Sequence, residues 1–201
     1  MKPFRLTTLF LITAGLTAIG ATAQAEQAVY GQQWFITQKE SAASFDCTQK
    51  DGKAVAGVII SETHDGDENA DTTIGCATLK QGGDVLLLSG DKEKTWTITK
   101  DNESQGYRLT EDKKNIAEVA CPKNSVLVAR SHKGDENGPT TYTCQTLIDA
   151  WGKDMVPRQR HLMVGSQSSS DLKCPEPMAV VGRAHFGDEN GQTYLECALF
   201  F

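Results

Sequence analysis

The chain of 201 residues contains no Cys-x-x-Cys pair, few aromatic residues (7%) and no basic excess. Each absence removes a class of function. Without Cys-x-x-Cys spacing, a structural zinc knuckle or a thioredoxin-like redox centre is not expected. With 20 Lys+Arg against 26 Asp+Glu and a net charge of -6, a phosphate backbone is a poor partner, so no nucleic acid is expected. No long stretch repeats its apolar residues with a period of 3.6, which argues against a helical body. Enzymatic signatures are missing as well. The Ser166 and Ser168–Ser170 run has no nucleophile-elbow context, and acid neighbours such as Asp135 and Glu136 are adjacent on a turn instead of facing one another across a cleft. The expectation is a non-enzyme without a cofactor.

What is present begins with an address. Lys2 and Arg5 precede an apolar stretch that includes Leu9, Phe10, Leu11 and Ile12, and Ala23-Gln24-Ala25 supplies a small-x-small cleavage pattern. This reads as a secretory signal peptide over residues 1–25, cleaved after Ala25. The apolar run is short for a span of about 20 residues and no second one follows, so no membrane association is expected after cleavage. Loss of Lys2 and Arg5 takes 20 basic residues to 18 against 26 acidic ones, a charge of -8. The leader suits a bacterial periplasmic or secreted protein. In such an oxidising compartment the six Cys, at 47, 76, 121, 144, 174 and 197, read as a disulfide framework.

An internal repeat organises these Cys. Cys121-Pro122 leads through Val126-Leu127-Val128 to Arg130, His132 and Gly134-Asp135-Glu136-Asn137-Gly138, then to Thr140 and Cys144. Cys174-Pro175 leads through Ala179-Val180-Val181 to Arg183, His185 and Gly187-Asp188-Glu189-Asn190-Gly191, then to Thr193 and Cys197. A looser copy runs from Cys47 through Val58-Ile59-Ile60 to Glu62, His64 and Gly66-Asp67-Glu68-Asn69-Ala70, then to Thr72 and Cys76. In all three, His stands 12 residues and Thr four residues before the second Cys, and an apolar residue (Phe45, Val119, Leu172) stands two before the first.

Each copy reads as β structure. The short β-branched runs look like strands buried on both faces, and the Gly-Asp-Glu-Asn cluster looks like a turn with Gly at positive φ. Further strands are expected at Val85–Leu88, Trp96–Thr99 and Tyr107–Thr110, and a helical turn at Leu147–Trp151. The fold class is therefore all-β: a single domain over residues 26–201, built of three related disulfide-closed β units at about 32–80, 94–148 and 159–201, with pseudo-threefold repetition. A trefoil-like closure is the first expectation, and a prism or sandwich of repeats the alternative. The repeat favours the local pairing Cys47–Cys76, Cys121–Cys144 and Cys174–Cys197, and a cyclic pairing between copies would respect it equally. Loop-closure entropy gives about 3.5 kcal/mol per local bridge, on the order of 10 kcal/mol for three.

The loop motif admits two kinds of reading. As architecture, Asp and Asn cap the turn and His packs at a strand end. As chemistry, the candidate ligand-binding set is His64, Asp67, Glu68 and Asn69, with His132, Asp135, Glu136 and Asn137, and His185, Asp188, Glu189 and Asn190. Carboxylate, carboxamide and imidazole together suit sugar hydroxyls, and three copies would give avidity for a repetitive glycan. Trp34, Trp96, Tyr142 and Tyr194 are candidate stacking surfaces. Period-2 alternation puts Arg130 and Arg183 on the face of the His two residues on, where each could pair with its loop's acids; Glu62 takes that place in copy one. The loops also admit metal. Their oxygens suit Ca²⁺ although EF-hand spacing is absent, and His64, His132 and His185 could converge as a three-His zinc site.

Val119, Cys121, Pro122, Val126, Val128, Ala129, Arg130, Ser131 and Cys144 together resemble the dermatopontin repeat, with Gly-Asp-Glu-Asn standing where that family has Asp-Arg-x-Trp. The resemblance implies three disulfide-linked units in an extracellular, non-enzymatic protein that binds matrix proteins and glycans. The functional expectation is lectin-like or adhesion-type recognition of a glycan or an extracellular, cell-surface protein. A periplasmic or secreted protein-interaction module, such as an inhibitor or toxin-associated factor, is the alternative.

Overall fold

The computed structural model describes residues 27–66, 70–101, 119–122, 124–134, 138–166, 168–187 and 191–201. The expected leader, the expected strand at 107–110 and the three Asp-Glu-Asn triplets lie outside the described residues. The fold is all-β. Copy one contributes β1 (Val29–Lys39), β2 (Ser44–Asp46), a small hairpin of β3 (Gln49–Lys50) and β4 (Lys53–Ala54), β5 (Gly57–Asp65) and β6 (Asp71–Gln81). Two short strands follow, β7 (Asp84–Val85) and β8 (Leu87–Leu88). Copy two contributes β9 (Thr95–Lys100), β10 (Val119–Ala120), β11 (Ser125–His132) and β12 (Thr140–Ile148). Copy three contributes β13 (Pro157–Ser166), β14 (Ser169–Lys173), β15 (Ala179–Phe186) and β16 (Gln192–Phe200).

Each copy of the motif forms one hairpin, β5–β6, β11–β12 or β15–β16, and a disulfide joins each hairpin to the segment that enters it: Cys47–Cys76, Cys121–Cys144 and Cys174–Cys197. No cysteine is free. Three cystines in one chain of this size fit an oxidising compartment. The return strands β6, β12 and β16 pair on their outer side with β1, β9 and β13, so that Trp34 faces Cys76, Trp96 faces Cys144 and His161 faces Cys197.

The other side of each hairpin is closed by a different copy. Strand β2 of copy one pairs with β11 of copy two, β10 of copy two with β15 of copy three, and β14 of copy three with β5 of copy one. The register is the same each time: Phe45 opposite Arg130, Val119 opposite Arg183, Leu172 opposite Glu62. This explains the apolar residue two before each first Cys, since all three are buried at these junctions.

A β-bulge makes the junctions possible. The ladders slip by one residue between Ile59 and Ser61, between Leu127 and Ala129, and between Val180 and Gly182. The residue left out of its own ladder turns its carbonyl to another copy. Ile60 O accepts from Cys174 N at 2.9 Å, Val128 O from Cys47 N at 3.0 Å and Val181 O from Cys121 N at 2.8 Å.

Two buried clusters form, and both draw on all three copies. Val58, Ile60, Val126, Val128, Ala179 and Val181 pack with Leu79, Leu147 and Phe200 in one. The intervening Ile59, Leu127 and Val180 pack with all six Cys, Phe45, Val119 and Leu172 in the other. The three central strands are thus buried on both faces, and no copy has a core of its own.

Two sequence expectations are corrected here. Val85–Leu88 is broken into β7 and β8 because Leu86 turns into the core, its N–H donating to Leu79 O at 2.8 Å. Leu147–Trp151 is no helical turn: β12 continues to Ile148, and Asp149 then builds a tight turn through its side chain.

Phe45→Ala is expected to cost about 3–5 kcal/mol and Leu172→Ala about 2–5 kcal/mol, the usual range for emptied core sites. Because each side chain lies between copies, denaturant unfolding of either variant, followed by tryptophan emission and circular dichroism, should remain a single shifted transition. Two separated transitions would mean that the copies unfold independently.

Candidate functional site

The spacing of His and Thr shared by the three copies of the motif has a simple geometric meaning. His64 pairs with Thr72, His132 with Thr140 and His185 with Thr193 across the end of each hairpin, just before the loop. The imidazole Nδ1 lies 2.9, 2.7 and 3.1 Å from the respective threonine Oγ1. All three His are buried. His185 Nε2 donates to Gly187 O at 3.1 Å, and His64 Nε2 donates to Glu62 Oε1 at 2.7 Å.

Beyond this rung, Gly66, Gly134 and Gly187 adopt φ of 121°, 105° and 101°, a region that favours glycine. The loop is pinched here. A Cβ on Gly187 would lie 3.2 Å from Gly191 Cα, and one on Gly66 would lie 2.6 Å from Ala70 Cβ. Two loop bases also dock on a neighbouring copy, with Gly66 N donating to Ser168 O and Gly134 N to Ser41 O, each at 2.9 Å. Asp67, Glu68, Asn69, Asp135, Glu136, Asn137, Asp188, Glu189 and Asn190, which sit between the pinching residues in sequence, lie outside the described residues.

Beneath the loops is an ionic cluster. Central strands β5, β11 and β15 pack directly against one another, and the residue two before each His meets its counterparts there. Arg183 holds Glu62 by a forked contact, Nε to Oε2 at 2.8 Å and Nη2 to Oε1 at 2.7 Å, and its Nη1 donates to Tyr142 Oη at 3.0 Å. Arg130 Nη2 donates to Glu40 Oε1, and Thr72 Oγ1 donates to Glu40 Oε2. Glu40, Glu62, Arg130 and Arg183 are each exposed by 2% or less. Burial by itself would push the Glu62 carboxyl up. The charges of Arg183 and Arg130 and the hydrogen bond from His64 outweigh it and hold the group well below the ordinary carboxylate range.

Among the described residues the acid on each Arg comes from copy one, Glu62 for Arg183 and Glu40 for Arg130, while the loop acids each Arg was expected to meet lie outside the described residues. Glu40 was not visible as a partner in the sequence, being 90 residues from Arg130. A three-His zinc site is not formed. Each His is bound to the threonine of its own hairpin, and among the described residues no three His, Cys, Asp or Glu group to hold a metal ion. Of the expected stacking residues, Tyr142 and Tyr194 are buried, while Trp34 and Trp96 pack half-buried on the cystine core, Trp34 with Lys50 Nζ 5.6 Å from its ring centroid. Sequence reasoning passed over Trp151, which is 86% exposed.

Comparison with protein-family models, with curated proteins and with solved structures finds no match for this chain.

Glu62→Gln leaves the Arg183 guanidinium buried beside a neutral amide, and a cost of about 3–5 kcal/mol is expected near neutral pH. The sign with pH follows from the depressed carboxyl. Its contribution is present above the unfolded-state value, near 4.3, and is lost as pH falls through the folded one. The deficit of the variant against the parent, from urea midpoints at a series of pH values, should shrink in acid. A deficit constant from neutral pH to pH 3 would contradict the assignment.

Proposed function

We propose that the chain is an exported, non-catalytic binding protein that presents its three Asp-Glu-Asn loops to a glycan or a glycan-bearing cell surface, in a lectin-like or adhesion-type manner. The observation that carries this reading is the repetition of one loop base: the same His–Thr rung and the same positive-φ glycine in three hairpins stapled by cystines. His, Thr and Gly are used up in building the base. Each triplet adds two carboxylates and a carboxamide, groups that hydrogen-bond sugar hydroxyls. Three such loops on one rigid body suit a repetitive ligand, because a second contact then forms at high effective concentration.

The cyclic pairing of strands supports a pseudo-threefold arrangement of the three units. Four strands recur in each group, β1-β6-β5-β14, β9-β12-β11-β2 and β13-β16-β15-β10, which fits the prism alternative better than a trefoil. The leader over residues 1–25 and the three cystines support export to the periplasm or beyond, and the likeness of copy two to the dermatopontin repeat points the same way. A charge near -8 after leader removal, from 18 basic and 26 acidic residues, favours a second reading. In it the chain is an inhibitor or toxin-associated module that meets a basic protein by electrostatic steering.

The test pairs the parent with a double variant, Asp135→Ala with Asp188→Ala, on a printed glycan array. Binding should fall at least tenfold in the variant while the melting temperature stays close to the parent's. Undiminished binding would remove the loops from the site. Salt separates the two readings, since capture of a neutral sugar should change little between low and physiological ionic strength, whereas steered protein association should slow sharply.

A further inference from the structure

Trp151 has the largest exposure of the large apolar side chains among the described residues. It tips the turn between β12 and β13, closed by a bridge between Ile148 and Asp154. Asp149 builds that turn. Its Oδ1 accepts from Trp151 N at 2.9 Å and from Lys153 N at 2.8 Å, its N–H donates to Lys153 O at 2.9 Å, and its carbonyl accepts from Gly152 N at 3.0 Å. Gly152 takes φ +81°, and nothing lies within 4 Å of where its Cβ would be. Ala150, on the other side, is also exposed.

An indole set between the two smallest residues shows its faces to solvent, and the four hydrogen bonds of the turn fix its backbone, so that only its two side-chain torsions are ordered on binding. Its setting is polar and balanced in charge. Lys153 is exposed, and Asp154 is paired with Lys94 Nζ at 2.7 Å. A partner with a flat apolar face and a rim of hydroxyls matches this combination, and a pyranose ring has that form.

We propose that Trp151 is a stacking platform for a pyranose ring, a sugar contact separate from the three motif loops, with Lys153 and the Asp154–Lys94 pair supplying charge for the ring hydroxyls. The assignment rests on the glycan reading above. Leu87, 47% exposed and opposite Ile148, is the apolar neighbour that a protein partner would use instead.

The test uses the full-length exported protein on a printed glycan array, followed by titration with chitotetraose and cellotetraose, whose β-linked rings expose flat C–H faces. Trp151→Ala should lower binding at least tenfold with an unchanged melting temperature. Trp151→Tyr should retain most of it, and the indole emission lost in Trp151→Ala should be the emission that responds to sugar in the parent. Array binding equal in parent and Trp151→Ala would overturn the platform and leave the loop reading standing. A parent that binds no glycan would overturn both. A parent that binds no glycan but self-associates, with loss of association in Trp151→Ala and Leu87→Ser, would put a second copy of the chain on this surface.

Discussion

The short strand ahead of each first cysteine is hydrogen-bonded to a hairpin of another copy, and this exchange places the cystines, the shared cores and the buried charges. It runs from copy one to two, two to three and three back to one. A bulge in each central strand frees one carbonyl, and the cysteine N–H of another copy takes it. Each cystine then ties the donated segment to its own hairpin. The covalent bond and the strand exchange act on the same few residues, so every copy is held both by its own disulfide and by a different copy's backbone. With the two apolar clusters shared among all three, the copies have no separate cores to fall back on.

The exchange also sets the electrostatics. Bringing three central strands together puts the residues two before each His at one place, and two of those residues are Arg. Three equal cations buried side by side could not persist. Copy one departs from the others at this position and supplies Glu62, and Glu40 on the adjoining 3-10 turn (Glu40–Ala42) holds Arg130. Glu62 in copy one, where the other copies have Arg, thus has a physical reason, since a perfect triplication would have a third cation at the junction. The loop base of copy one stands directly on this cluster, through His64 on Glu62 and through Thr72 on Glu40.

The β class and the hairpins were legible in the residues themselves. Val58-Ile59-Ile60 and its counterparts are short, β-branched and buried on both faces, and the constant offset between His and Thr is the length of the hairpin that joins them. The trans pairing was not legible. Phe45, Val119 and Leu172 are apolar whether they close their own hairpin or a neighbour's, and nothing local distinguishes the two. The partner of Arg130 was hidden for a similar reason: a Glu that follows an alternating strand reads as a solvated turn residue until the fold carries it to a cation far along the chain. The turn at Asp149 was missed because Leu147-Ile148 followed by small and aromatic residues has no local mark of strand or helix, and an aspartate folding back on two N–H groups decided it. Trp151 could have been noticed as an aromatic set between Ala and Gly in a polar turn.

With cores and strands shared among the copies, the molecule should open as one cooperative unit, its junctions last. Native-state hydrogen exchange of the Cys47, Cys121 and Cys174 amides, the donors to Val128, Val181 and Ile60, tests that most directly. The three amides should exchange only through global unfolding, with opening free energies equal to one another and to the value from denaturant titration. An amide in one junction that exchanges through a much cheaper local opening, while the other two stay protected, would contradict the cyclic interlock.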